Sequence, residues 1–145
     1  MNAVLDTTHG LKHAGTSRSV LSGKSVLLVE DEEIVAEVIS EVVAPAVRSF
    51  HTAPDGVEAL AQVMERDYDV ILLDIAMPKM NGMKFYEHLR ALKPYLMGRV
   101  IFITGDTETE GIREFIATSG CRFLDKPFMV RDLMGVMAGI DAGAA

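Results

Sequence analysis

Four short apolar runs recur along the chain, and each ends on residues suited to phosphate or metal chemistry. Val26-Leu27-Leu28-Val29 runs into Glu30-Asp31, Val70-Ile71-Leu72-Leu73 into Asp74, Val100-Ile101-Phe102-Ile103 into Thr104, and Phe123-Leu124 into Asp125-Lys126-Pro127. Short runs rich in β-branched residues, without polar alternation, suit strands covered on both faces, which is the condition of a parallel sheet.

Helical spacing separates these runs. Ile34, Val35, Val38, Ile39, Val42 and Val43 form a wide stripe over about 32–44, stopped by Pro45. Residues 47–52 alternate and read as a second strand near an edge. Pro54 is expected to open a helix to about Arg66, with Val57, Leu60, Ala61 and Met64 on one side. Met77 to Gly82 reads as a turn, because Pro78 and Asn81-Gly82 are strong turn signals. Further helices are expected over about 83–92, stopped before Pro94, over 108–119 with Gly120 as C-cap, and over 130–140. The chain is therefore βα repeated five times. Strict alternation requires right-handed crossovers. The expected fold is α/β, a doubly wound five-stranded parallel sheet of flavodoxin-like order 2-1-3-4-5 with five helices, and in such sheets ligands bind beyond the carboxyl ends of the strands.

Residues 1–23, with Gly10, Gly15, Gly23 and several Ser and Thr, read as a flexible lead-in or linker, a short docked helix being the alternative. The domain is expected to span 24–140, leaving 141–145 as a tail. A net charge of -7 over 145 residues argues against direct nucleic-acid binding. No apolar stretch reaches spanning length and no signal-peptide core is present, so no direct membrane partner is expected and the cytoplasm is the expected location. The single cysteine, Cys121, excludes an internal disulfide. The four histidines are scattered, with no metal-ligand spacing.

The strand ends thus bring together Glu30, Asp31, Asp74, Thr104 and Lys126. Taken singly, each has an ordinary reading: Asp31 as a helix cap, Asp74 in a loop, Thr104 at a strand end, Lys126 in solvent. Jointly they suit a hard divalent cation and a phosphoryl group. Mg²⁺ takes carboxylate and phosphate oxygens and shields one anion from another. A carboxylate can accept a phosphoryl group, and Lys and Thr can hold its oxygens.

These residues resemble the response-regulator receiver domain of two-component signalling. The resemblance covers roughly 24–140 and rests on Leu27 to Glu32, Val70 to Gly82, Ile103-Thr104-Gly105 and Asp125-Lys126-Pro127-Phe128. It implies that Asp74 is the phosphoacceptor, receiving a phosphoryl group from the phosphohistidine of a histidine kinase or histidine phosphotransfer domain. It implies a Mg²⁺ site, with Mn²⁺ as a substitute, made by Glu30, Asp31, Asp74 and the Ala76 backbone carbonyl, Asp31 being a direct ligand. Lys126 would pair with the phosphoryl group, across a cis bond to Pro127. Thr104 and Phe123 would form the switch, altering the face of the fourth helix, fifth strand and fifth helix. A downstream protein partner and a phosphorylation-dependent homodimer are further implied.

Four positions depart from the family pattern. Glu30 stands where Asp is commoner, Phe123 lacks a tyrosine hydroxyl, Gly105 replaces a usual Ala, and Ala76 offers no polar side chain. The resemblance suits a single-domain regulator or the C-terminal receiver of a hybrid histidine kinase, and a signalling switch rather than a turnover enzyme. The competing readings are a Mg²⁺-dependent aspartyl phosphohydrolase, argued against by Ala76 where a general acid would stand, and a degenerate receiver acting without phosphorylation. An FMN binder is disfavoured by the acidic first turn, Glu30-Asp31-Glu32-Glu33.

Overall fold

The computed structural model describes residues 20–77, 80–105 and 108–140. Along the chain these give β1 (Ser25–Val29), α1 (Glu33–Val43), β2 (Ser49–Ala53), α2 (Gly56–Glu65), β3 (Val70–Asp74), α3 (Gly82–Leu92), β4 (Val100–Thr104), α4 (Glu110–Ser119), β5 (Arg122–Asp125) and α5 (Val130–Ala138). Short 3-10 turns at Ala44–Ala46 and Pro94–Arg99 follow α1 and α3. All strand pairs are parallel, in the order β2-β1-β3-β4-β5. This is the doubly wound order that the alternation implied.

Every residue of β1, β3 and β4 is buried, which is why their sequences carry no polar alternation. Their side chains alternate between two cores. Leu27, Leu73 and Phe102 face α2, α3 and α4, while Leu28, Leu72 and Ile103 face α1 and α5. In the first core Tyr86, Phe102 and Phe115 form a tilted and edge-on trio with centroids 5.3–5.4 Å apart. Each fully buried large apolar side chain contributes about 1.5–3 kcal/mol relative to exposure.

The fourth apolar run differs from the other three. Among the described residues β5 pairs only with β4, and it is largely exposed, with Phe123 at 46% relative exposure. An edge strand needs no cover on both faces, so its apolar residues do not mark burial.

Two helices also differ from expectation. α2 begins at Gly56, after Asp55, whose carboxylate accepts from the Glu58 amide at 2.9 Å as a side-chain cap. Pro54 therefore lies before the helix. The inward residues of α2 are Gly56, Ala59 and Val63, and Val57 and Met64 are exposed. On α1 only Ile39 and Val43 are buried, while Ile34 and Val38 face solvent. Gly120, at φ 76°, ends α4 in the left-handed conformation that suits glycine.

The packed domain also takes in residues before Lys24: Leu21 is buried beside Ile39 and Met137. Most of the lead-in (1–19), the tail (141–145) and the turn residues Pro78 and Lys79 lie outside the described residues. None of the described helices is long and apolar enough to cross a membrane.

Candidate functional site

Parallel strands in register deliver their polar ends to one rim. Glu30 follows β1, Asp74 ends β3, Thr104 ends β4 and Lys126 follows β5. Glu30, Asp74 and Thr104 are each at most 4% exposed, whereas Asp31 is exposed. The cap position of α1 is Glu32, so Asp31 does not serve as the helix cap. Carboxylate oxygens of Glu30, Asp31 and Asp74 lie within 4.8 Å of one another.

Lys126 reaches into this acidic group. Its Nζ lies 3.1 Å from Glu30 Oε1 and 3.3 Å from Asp74 Oδ2. Backbone amides fix the other carboxylate oxygens: Glu32 N–H donates to Glu30 Oε2 and Ala76 N–H to Asp74 Oδ1, both at 3.2 Å. Lys126 is held in turn by its own amide, which donates to the Thr104 carbonyl at 2.8 Å. The Lys126–Pro127 bond is cis.

The electrostatics of this rim are unfavourable to two charged carboxylates. Burial, then the facing Asp74 charge, pushes Glu30 up to about 7, against the pull of the Glu32 amide and Lys126. Burial also raises Asp74, opposed chiefly by Lys126. Burial alone would lower Lys126, but the attraction of Asp74 and Glu30 outweighs it and its pKa is raised. Glu30 and Asp74 share one ammonium and Asp31 adds a third carboxylate within 4.8 Å, so the site has an excess of hard oxygen donors that a divalent cation could use.

Phe123, singled out from the sequence, sits apart from this group on β5, opposite Phe102 in the strand register. Two glycines escaped the sequence reading as site residues. A Cβ on Gly82 would strike the Asp74 carbonyl, and one on Gly56 would meet the Met80 carbonyl at 2.5 Å. In sequence Gly82 reads as a turn residue and Gly56 as a helix interior. Neither pattern records the close approach of another backbone.

A family model described as the response regulator receiver domain matches residues 26–138. Among curated proteins, the chain is 35% identical over 117 residues to the sensor kinase CckA of Brucella abortus (strain 2308), covering 78% of this chain and 12% of that protein. The chain thus spans only part of the length of that relative. Among solved structures, chemotaxis protein CheY4 of Vibrio cholerae is 28% identical with a TM-score of 0.74, over 83% of this chain and 100% of that one. The receiver domain of sensor histidine kinase PA1611 from Pseudomonas aeruginosa PAO1 is 27% identical with a TM-score of 0.73, over 84% and 99% of the two chains. That structure carries a magnesium ion coordinated in its active site cleft.

Proposed function

Since the chain belongs to the response regulator receiver domain family of two-component signalling, we propose that it is a phosphorylation switch whose phosphoacceptor is Asp74. The observation that carries this reading is the placement of a nearly buried Asp74 between Lys126, at 3.3 Å, and two further carboxylates within 4.8 Å. A carboxylate in that position is oriented, with an ammonium beside it for the oxygens of a second anion and two further acids to hold a cation.

In the proposed step a carboxylate oxygen of Asp74 attacks the phosphorus of a phosphohistidine on a histidine kinase or phosphotransfer domain. The O–P bond forms as the P–N bond breaks, and the electron pair stays on the imidazole nitrogen. The Ala76 amide orients the carboxylate through Oδ1. Lys126 offsets the charge of the incoming phosphoryl oxygens. Glu30, Asp31, Asp74 and the Ala76 carbonyl would hold Mg²⁺, which would shield the two anions from each other and orient the phosphoryl oxygens. Mn²⁺ is a plausible substitute.

The product places new negative charge beside Thr104 and Lys126. Bonding of the Thr104 hydroxyl to the phosphoryl group would favour one packing over the other, which is the differential interaction a population shift requires. Phe123, half-exposed on β5, would then turn inward and change the α4-β5-α5 face offered to a downstream protein or a second copy. The chain acts in this reading as a cytoplasmic switch and not as a turnover enzyme.

Incubation of the full chain with acetyl phosphate and Mg²⁺, followed by intact mass, tests the reading. A gain of one phosphoryl group is expected, lost without Mg²⁺ and lost in Asp74→Ala. No gain from acetyl phosphate or from a phosphorylated histidine donor, with the fold retained, would sink it.

A further inference from the structure

The β2–α2 turn contributes no group to the acidic cluster, yet it is bonded to the loops on both sides of it. The Ala53 carbonyl accepts from the Glu30 amide at 3.0 Å. Three residues later, the Gly56 amide donates to the Met80 carbonyl at 3.2 Å. β1 lies between β2 and β3 in the sheet. The turn therefore ties the Glu30 backbone to the loop that leaves Asp74.

The turn is also stiff. Asp55 is 6% exposed, its carboxylate caps the Glu58 amide, and its carbonyl accepts from Ala59 at 3.0 Å. Gly56 touches the loop with no room to spare. A Cβ there would lie 2.5 Å from the Met80 carbonyl oxygen and 2.7 Å from Met80 Cβ. The oxygen belongs to the backbone and cannot swing away as a side chain would, so the loop itself would have to retreat. The loop cannot absorb that movement freely at its far end, because the Gly82 amide is bonded to the Ile75 carbonyl at 2.8 Å.

We infer that Gly56 is a positioning residue: through its contact with Met80, the β2–α2 turn sets how closely the loop bearing Ala76 approaches Glu30 and Asp31. This rests on the proposed metal-dependent site. Absence of a side chain at position 56 lets the two banks close, and any side chain there holds them apart.

Calorimetric Mg²⁺ titration of the full chain tests this, with Gly56→Ala compared against Leu96→Ala. Leu96 is fully buried in the 3-10 turn before β4, at the opposite end of the strands, and its truncation reports general loosening. Gly56→Ala is expected to weaken Mg²⁺ binding at least fivefold, and to displace the Ile75 and Ala76 amide resonances before metal is added. Leu96→Ala should lower the melting temperature while leaving Mg²⁺ affinity within twofold. Unchanged affinity in Gly56→Ala, or an equal loss in Leu96→Ala, overturns the inference. If Gly56→Ala does not fold, the titration is repeated in trimethylamine N-oxide, which favours the compact state, and an unchanged affinity there overturns it equally. No Mg²⁺ binding by the unsubstituted chain would overturn the proposed function itself, and this inference with it.

Discussion

Two clusters at opposite ends of the sheet use the same chemistry in opposite ways. At the N-terminal ends of the strands, Asp67 accepts from Lys93 Nζ and from the Tyr95 hydroxyl, both at 2.8 Å. At the C-terminal ends, Glu30 and Asp74 share Lys126 at 3.1 and 3.3 Å. The lower carboxylate is about half exposed, and its partners, Lys93 first, pull its pKa down. The upper carboxylates are almost wholly buried, and burial pushes both up. In the lower cluster one acid has two donors. In the upper one, two buried acids share one ammonium. The lower arrangement stabilises a fold slightly, whereas the upper one is tolerated at the expense of stability, as expected where charge is held ready for a ligand.

The largest test of this contrast removes the shared cation. Lys126→Ala leaves two buried carboxylates without their ammonium, and breaking a buried pair costs roughly 3 kcal/mol. In urea denaturation at pH 8 with chelator present, the loss should approach that figure. It should shrink near pH 5, where Glu30 takes up a proton and the repulsion falls. A loss below about 1 kcal/mol at pH 8, the level of an exposed pair, would erase the distinction between the two ends.

A second test reads the direction in which burial moves Glu30. Its folded pKa of about 7 stands above the ordinary value of 4.5. Between those values the folded chain holds a proton that the unfolded chain has released. The Glu30 contribution to stability is therefore fully present below about pH 4.5 and is lost as pH rises through about 7. A tenfold change in proton affinity corresponds to about 1.4 kcal/mol, so the stability difference between the metal-free protein and Glu30→Gln should change by on the order of 3 kcal/mol over that window. A flat difference would mean that Glu30 is ionised throughout and that the upper cluster resembles the lower.

The contrast also explains which parts of the molecule were legible in the sequence. β1, β3 and β4 were plain because strands buried on both faces must be continuously apolar, and the polar residue after each run marks the same rim. Asp31 was legible as a rim residue, but only the fold separates it from a helix cap. β5 was misleading: Phe123-Leu124 looks like the other runs, yet an edge strand leaves Phe123 nearly half exposed. α2 was harder. Val57 and Met64 are more hydrophobic than Gly56 and Ala59, yet it is the small residues that face inward, and at Gly56 the Met80 backbone leaves no room for a side chain. Hydrophobic periodicity measures apolarity and carries no information about how closely a loop comes. The lower cluster gave no signal at all, since Asp67, Lys93 and Tyr95 belong to no motif and meet only after the chain has crossed the sheet.

The smallest effect should come from that lower cluster. Asp67→Asn keeps an acceptor for Tyr95 and removes the charge facing Lys93. Asp67 is about half exposed, so solvent screens the pair and a loss of about 0.5 kcal/mol at pH 7 is expected. The sign with pH is opposite to that of Glu30. The folded pKa lies below the ordinary value of 3.8, so the contribution is present above pH 3.8 and is lost as pH falls through the folded value. Added salt should reduce it further, because the Debye length falls to about 3 Å at 1 M. Urea denaturation of Asp67→Asn at low and high salt measures both. A loss comparable to that of Lys126→Ala, insensitive to salt, would show that the lower clip is held as tightly as the upper cluster and that exposure does not separate the two ends.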